Sequence, residues 1–231
     1  MRMNIIDLIF PPTCGVCGKS FAKAGKHELM CADCKANMPR IHSHMEPFNE
    51  LHQKLAAVSV PIVRAAAMYR YSNVSDYAAL VRDAKYHRQP WLIRSLAHNY
   101  AAEIAPDGFF DGIDAIVPIP MHWFKELRRG FNQSYELARG LSDITRLPIV
   151  DNLEATRSHK TQTHLSGDER RKNLAGIFKV YRADELKGKH LLLVDDIITT
   201  GTTLLEAGKT LIDSVTDVRL SVLALASTSY A

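Results

Sequence analysis

The sequence has no long hydrophobic run. Nowhere do apolar residues approach the ~18 consecutive positions that a membrane-spanning helix needs. The apolar cluster at residues 5–10 is interrupted by Asp7 and is too short for the apolar core of a secretory signal peptide. We therefore expect a cytoplasmic protein with no segment inserted in a membrane.

The sequence also lacks a strong charge bias, low-complexity segments and internal repeats. It has 29 Lys and Arg against 25 Asp and Glu, a net charge of +4 that does not by itself indicate nucleic-acid binding. Two nucleotide-binding patterns are missing, because the chain contains neither G-x-x-x-x-G-K-[ST] nor G-x-G-x-x-G. The 231 residues, 46% of them hydrophobic, suit one large domain or a medium domain with a small appendage.

No cysteine occurs after residue 34. Cys14, Cys17, Cys31 and Cys34 follow the spacing C-x2-C-x13-C-x2-C. Two such pairs can direct four thiolates at one centre, which is typical of a closed, structural Zn²⁺ site. Disulfides would need an oxidising compartment, for which there is no targeting signal, and an iron–sulfur cluster is a further alternative.

The segment that follows the cysteines is polar. Residues 37–53 include His42, His44 and His52, but four thiolates already satisfy zinc. We predict that these histidines are solvated and that the segment is a linker. The predicted units are a zinc-binding module plus linker at residues 1–50 and a main domain at residues 58–231.

The strongest functional signal is an apolar run that ends in two carboxylates. Leu191 to Val194 show no polar alternation, which favours a strand buried on both faces, and Asp195 and Asp196 follow directly. Parallel sheets bind ligands beyond the carboxyl ends of their strands. We predict that the two aspartates lie at a ligand site.

The turn after the aspartates is suited to phosphate. Gly201 permits a tight bend, a helix that begins near Thr202 adds the positive end of its dipole, and hydroxyl groups come from Thr199, Thr200, Thr202 and Thr203. Two carboxylates would repel a bare polyphosphate but would accept hydrogen bonds from vicinal sugar hydroxyls. The pattern therefore indicates a ribose 5-phosphate, with or without a divalent cation.

A basic loop follows the predicted strand at residues 115–120. Lys125, Arg128 and Arg129 precede Gly130, which allows close backbone approach. In a parallel sheet this loop would share the edge of the aspartates, and its cations would neutralise pyrophosphate. The alternative is a solvated basic turn.

A second basic segment spans residues 157–173. A capping-box pattern at Ser166 and Glu169 predicts a helix that begins near Gly167. Residues 157–165 would then be an arm that closes over the site and excludes water. The alternative is an ordinary surface loop.

Strands and helices alternate along the rest of the chain. This alternation predicts an α/β fold with a doubly wound parallel sheet and a small N-terminal zinc module. Strands are predicted within residues 58–71, 115–120, 149–156, 177–181, 191–194 and 218–226, and helices around residues 74–85, 90–104, 137–144, 167–173 and 202–212.

Taken in order, these segments resemble the competence protein F (ComF) family of type I phosphoribosyltransferase-like proteins. The apolar run, two acids and Thr-Thr-Gly-x-Thr are similar to the motif that binds phosphoribosyl pyrophosphate (PRPP). The further matching elements are the two C-x2-C pairs, Pro118-Ile119-Pro120, Arg129-Gly130-Phe131-Asn132-Gln133, Gln162-x-x-Leu165 and Arg170-x-x-Asn173.

The resemblance implies a PRPP site that also uses Mg²⁺. Asp195 and Asp196 would bind the ribose hydroxyls, and residues 199–203 would hold the 5′-phosphate. Pyrophosphate contacts are implied for Lys85, Arg128 and Arg129, and roles in a catalytic lid for Arg157, Lys160 and Gln162.

Three functions stay open at this point. The first is a phosphoribosyltransferase whose acceptor the sequence does not reveal, and the second is a PRPP sensor that acts through a partner such as a competence protein. The third is a single-stranded-DNA-binding competence factor that uses Trp123, Phe124 and Phe131 beside the basic residues. The alternative for these aromatic residues is a place in the core.

Overall fold

The computed structural model describes residues 12–21, 25–56, 60–72, 75–86, 89–156 and 176–228. Within these ranges, the helices are α1 (Ala32–Ala36), α2 (Glu50–Ala56), α3 (Ala78–Tyr86), α4 (Pro90–Ile104), α5 (Trp123–Arg129), α6 (Gln133–Thr145) and α7 (Thr202–Ser214). The strands are β1 (Ile62–Tyr71), β2 (Ala115–Pro118), β3 (Leu153–Ala155), β4 (Phe178–Val180), β5 (His190–Ile198) and β6 (Arg219–Thr228). No helix of the described ranges is long and apolar enough to cross a membrane.

The main sheet has four strands in the order β1-β6-β5-β2, and all of its pairings are parallel. Leu191 to Val194 of β5 are fully buried, as their unbroken apolar run predicts. Because β5 lies between β6 and β2, the residues that follow it lie at the middle of the carboxyl edge of the sheet.

Helices cover both faces of the sheet. Leu192 and Val194 point into a core formed with α3, α4, α6 and the four-cysteine module. Leu191 and Leu193 point into a second core, formed with α2, α7 and the β3–β4 hairpin. The predicted doubly wound parallel sheet is thereby confirmed.

Two predicted strands lie outside this sheet. β3 and β4 form an antiparallel hairpin of their own, and a single parallel bridge between Ile149 and Ile116 precedes it. The hairpin buries Leu153 and Phe178 against the second core. The sequence predicts both segments as strands, but which strand each one pairs with depends on packing. Val74 and the helix predicted near Gly167 lie outside the described residues.

The prediction that residues 37–53 form a solvated linker is wrong. The backbone of residues 39–41 pairs with the edge strand β1, through Arg70 N to Pro39 O at 2.8 Å and Ile41 N to Met68 O at 3.1 Å. The buried Asn49 side chain donates to Ala65 O at 2.8 Å. The segment therefore covers the edge of β1, which would otherwise be open to another strand.

His44 is also not solvated. Its side chain is only 4% exposed, and its Nε2 lies 3.2 Å from Asp107 Oδ2, whereas His42 is exposed as predicted. The division into units at residues 1–50 and 58–231 stays a prediction.

Candidate PRPP site and zinc centre

The two aspartates lie at the carboxyl end of β5 and are half-buried. Asp195 Oδ1 accepts hydrogen bonds from Ser134 Oγ and from the N–H of Asp196, both at 2.9 Å. Asp196 Oδ1 accepts from the N–H of Ile197 at 2.8 Å. Both side chains are therefore oriented acceptors at the edge where the sequence predicts a ligand.

Tyr69 of β1 lies near the same end of the sheet and was not predicted from the sequence. Its side chain is fully buried, and its hydroxyl has no hydrogen-bond partner among the described residues. Burial is the main cause that raises the pKa of Tyr69, and the nearby charges of Tyr71 and Asp196 raise it further. The phenol of Tyr69 therefore stays protonated. It is a potential hydrogen-bond donor that interacts electrostatically with Asp196.

The threonine turn opens α7 as predicted. Gly201 is buried and has φ of +75°, a conformation that a side chain makes costly. A Cβ at this position would lie 2.7 Å from Leu55 Cδ2 of α2. Thr199 and Thr200 are exposed, and the Oγ1 atoms of Thr200 and Thr202 lie 2.7 Å apart. The turn thus joins hydroxyl groups to the first N–H groups of a helix, a combination that binds anions.

The basic loop reaches the same edge. Gly130 ends α5 with φ of +91°, and Asn132 begins α6 by accepting the N–H of Ser134 at 3.0 Å. Asn132 Nδ2 also donates to Ile119 O at 3.1 Å, which ties the loop to the end of β2. Arg129 Nη1 donates to the buried Gln133 at 2.7 Å. Ser134 of α6 bonds Asp195, so the helix that follows the basic loop lies next to the aspartates. The roles of Lys125, Arg128 and Arg129 stay predictions.

The short helix α5 leaves its apolar side chains in solvent. Trp123 is 66% exposed, Phe124 is 56% exposed and Leu127 is 72% exposed, and no residue of α5 is buried. The rings of Trp123 and Phe124 meet edge to face at 5.7 Å. The alternative that these two aromatic residues belong to the core is therefore wrong, whereas Phe131 is partly buried against the core.

Four further residues proposed for the site cannot be placed there. Lys85 lies in α3, and its side chain is not among the parts of the chain that the structure describes. Arg157, Lys160 and Gln162 all lie outside the described residues. Their roles stay predictions.

The four cysteines converge as their spacing predicts. One sulfur from each of Cys14, Cys17, Cys31 and Cys34 lies within 4.8 Å of the others, and the Cys17 and Cys31 sulfurs are 3.8 Å apart. A tetrahedron with Zn–S bonds of ~2.3 Å has edges of ~3.8 Å, which is the separation of the Cys17 and Cys31 sulfurs, so the four cysteines are grouped as zinc ligands would be.

The electrostatics of the cluster favour a cation. Burial opposes ionisation of Cys14, but hydrogen bonds from the backbone of Cys17, Cys31 and Val16 outweigh it and lower the pKa of Cys14 to about 6. Burial and the neighbouring sulfurs raise the pKa of Cys34. Zinc binds cysteines as thiolates, so Zn²⁺ bound to this cluster would displace the remaining protons and offset the repulsion between the four sulfurs.

The cysteine module packs on α3 and α4. Tyr77 Oη donates to Cys34 O at 2.7 Å, and Asn99 Nδ2 donates to His27 O at 2.8 Å. His27 also contacts Ser95 at 3.0 Å and stacks on His98, with ring centroids 4.0 Å apart. The module is therefore joined to the helical layer by specific polar contacts as well as by the first core.

This combination defines an α/β protein of the phosphoribosyltransferase type that carries a cysteine-rich metal module. The phosphoribosyl transferase domain family matches residues 86–227, and the double zinc ribbon domain family matches residues 5–45. The chain belongs to the phosphoribosyl transferase domain family.

Its relatives include competence proteins. Competence protein F of Haemophilus influenzae is 32% identical over 143 residues, which are 60% of this chain and 62% of that protein. This chain thus spans less than two thirds of that relative. DNA utilization protein YhgH of Escherichia coli O157:H7 is 28% identical over 206 residues, which are 86% of this chain and 84% of that protein. These relatives confirm the resemblance to the competence protein F family.

Among solved structures, adenine phosphoribosyltransferase from Saccharomyces cerevisiae aligns with a TM-score of 0.41 and 15% sequence identity. The alignment covers 76% of this chain and 88% of that chain.

Proposed function

We propose that this protein binds PRPP with Mg²⁺ at the carboxyl edge of the sheet and transfers its phosphoribosyl group with release of pyrophosphate. One observation carries the proposal. Two oriented carboxylates lie near the carboxyl end of the buried strand β5, and the turn that follows the strand joins threonine hydroxyls to the N-terminus of α7.

The two halves of this edge suit the two ends of a ribose 5-phosphate. Asp195 and Asp196 would accept hydrogen bonds from the vicinal ribose hydroxyls. The 5′-phosphate would lie on residues 199–203, where N–H groups and the helix dipole stabilise negative charge. Gly201 supports this role because its missing side chain lets the turn pack against Leu55.

The chemistry is substitution at C1 of the ribose. As the bond from C1 to pyrophosphate breaks, positive charge develops on the sugar ring and negative charge on the departing oxygen. Mg²⁺, held with PRPP near the aspartates, would supply charge neutralisation. Arg128 and Arg129 are candidates to stabilise pyrophosphate, since they end α5 just before α6, whose Ser134 bonds to Asp195. Arg157 and Lys160 would add lid cations and help to exclude water, which competes as a nucleophile.

The zinc module has a structural part in this proposal. A site with four protein ligands leaves no open position for a substrate. Zn²⁺ bound to Cys14, Cys17, Cys31 and Cys34 would fold the module, which then packs on α3 and α4.

Calorimetric titration of the zinc-loaded protein with PRPP and Mg²⁺ tests the binding step. We expect saturable heat from the wild type and none from a D195N/D196N variant whose circular dichroism is unchanged. A wild type that gives no heat would refute the proposal. Pyrophosphate release, measured with candidate nitrogen acceptors, then separates a transferase from a sensor that binds PRPP without turnover.

A second candidate function is single-stranded DNA binding through α5. Trp123 and Phe124 offer exposed rings on which bases can stack, and the same helix carries Lys125, Arg128 and Arg129. Stacking is worth about 1–3 kcal/mol per base. A relative of this chain is named DNA utilization protein, which agrees with this candidate.

Fluorescence anisotropy with an oligothymidylate tests this candidate. A W123A/F124A variant should lose about tenfold or more in affinity, and wild-type affinity should fall steeply with salt. W91A is the control, since Trp91 is 49% exposed but lies on α4. Equal loss in W91A, or no binding by the wild type at low salt, would exclude α5 as the DNA site.

A further inference from the structure

A cavity of about 330 Å³ lies at the carboxyl edge of the sheet, at the ends of β1 and β6. Its walls come from residues 40–51 and from the last residues of β1 and β6. The polar side chains that matter here are those of Arg40, Glu46, Glu50 and Arg70. None of these residues belongs to the PRPP motif.

The cavity is joined to the threonine turn by two contacts. Thr228 of β6, which lines the cavity, donates its Oγ1 hydrogen to Thr199 O at 3.2 Å. Leu51 at the start of α2 also lines it, and Leu55 of the same helix packs against Gly201. A molecule in this cavity would therefore lie next to the group that the threonine turn binds, which is the 5′-phosphate in the proposed function.

The strand order gives the cavity a defined position relative to the leaving group. The basic loop follows β2 on one side of β5, and the cavity lies at the ends of β6 and β1 on the other side. In a displacement at C1, the nucleophile approaches from the side opposite to the departing group. If pyrophosphate leaves toward the basic loop, the acceptor must approach from the direction of the cavity.

The wall of the cavity is held in place before any ligand arrives. The buried Asn49 donates to Ser43 O at 2.7 Å and to Ala65 O at 2.8 Å, which fixes the segment on β1. Ser43 Oγ accepts the N–H of Ala67 at 3.0 Å. A prepared cavity lowers the entropy lost on binding.

Its charges indicate what kind of molecule fits. The Glu46 and Glu50 side chains are exposed carboxylates, which can bind an amino group and accept its proton. Arg40, whose Nη2 pairs with Glu103 at 2.8 Å, also lines the cavity, as does Arg70. Arg40 and Arg70 together suit an oxyanion such as a carboxylate.

We propose that this cavity holds the acceptor of the phosphoribosyl group, and that the acceptor is a small nitrogen nucleophile that also carries a carboxylate. The inference rests on the proposed PRPP site. The nitrogen lone pair would form a bond to C1 while the bond from C1 to the pyrophosphate oxygen breaks. Pyrophosphate leaves with that electron pair, and the proton lost by the nitrogen passes to Glu46 or Glu50.

The test begins with the PRPP-loaded, zinc-containing protein. Calorimetry without any acceptor first establishes whether PRPP and Mg²⁺ bind, so that failure of the proposed function is seen separately. Glycine, aspartate and anthranilate are then titrated as amino-carboxylate probes, with methylamine and adenine as probes that lack the carboxylate. We expect at least one amino carboxylate to bind at least tenfold more tightly than methylamine and adenine, and to release pyrophosphate.

Two variants connect that binding to the cavity. E46Q/E50Q should lower pyrophosphate release by roughly 10²-fold while PRPP affinity stays within twofold. The control is E185Q, since Glu185 is exposed and lies before β5, at the amino edge of the sheet. Three results would overturn the inference: no amino carboxylate binds the loaded protein, methylamine or adenine binds more tightly, or E46Q/E50Q behaves like E185Q.

Discussion

Ser134 Oγ donates a 2.9 Å hydrogen bond to Asp195 Oδ1, across 61 positions of the chain. Ser134 is the second residue of α6, and Asp195 ends the buried run of β5. The bond links the helix that follows the basic loop directly to the first carboxylate of the PRPP motif. Two segments that the sequence singles out independently therefore form one edge.

Replacing Ser134 by alanine should weaken PRPP binding, because Asp195 loses a donor that orients it. A hydrogen bond to a charged group is worth about 1.5–3 kcal/mol, so affinity should fall by roughly tenfold or more. S142A is the matched control, since Ser142 Oγ bonds to Leu147 O at the far end of the same helix. Calorimetric affinities of S134A and S142A that do not differ would contradict this role for Ser134.

The substitution G201A should abolish PRPP binding, and G188A should not. Both glycines have positive φ, +75° and +69°, so alanine costs roughly 1–2 kcal/mol of backbone strain in each. Only at Gly201 would the new Cβ meet a neighbour, Leu55 Cδ2 at 2.7 Å; none lies within 4 Å at Gly188. Calorimetry should show binding lost in G201A and kept in G188A. Wild-type affinity in G201A would mean that the turn does not contact the phosphate.

His190 should make the protein less stable in mild acid. Its side chain is buried, with Nε2 2.9 Å from Ser221 Oγ and Nδ1 3.1 Å from Gly112 O. Burial is the main cause that lowers the pKa of His190, and the charge of Arg219 lowers it further. The unfolded chain therefore binds this proton more readily. The stability contributed by neutral His190 is complete above the unfolded pKa of ~6.5 and is lost as pH falls toward the folded pKa.

Urea unfolding at pH 7.5 and pH 5.5 measures this effect. H190Q should reduce the loss of unfolding free energy between the two pH values, whereas H42Q, at an exposed position, should leave the wild-type loss unchanged. Equal pH dependence in H190Q and the wild type would rule out His190 as the source.

Removal of zinc should unfold the cysteine module before the sheet. The described part of the module has few buried apolar residues of its own, and its contacts through Tyr77 and Asn99 depend on a folded cysteine cluster. Chelation should therefore increase hydrogen exchange in residues 12–38 and in α3, while β5 and β6 stay protected. C17S should lower the zinc content, whereas uniform loss of protection throughout the chain would show that the module does not unfold separately.

The sequence by itself determined the local elements and the positions of two candidate sites. An unbroken apolar run can be buried on both faces only in an inner strand, so Leu191 to Val194 specify β5 and the position of Asp195 and Asp196 at its end. The spacing of the four cysteines specifies their convergence because a tetrahedral ion accepts few other arrangements. Both signals are short-range in sequence.

Tertiary structure alone decided which distant residues complete the edge. Ser134, Tyr69 and residues 40–51 carry no motif that assigns them to a site, and their places follow from the pairing of strands and the packing of helices. The polar composition of residues 37–53 is compatible both with a solvated linker and with a segment that forms hydrogen bonds to the edge strand β1. What distinguishes the two is the unpaired backbone of β1, which becomes a partner only when the sheet has formed.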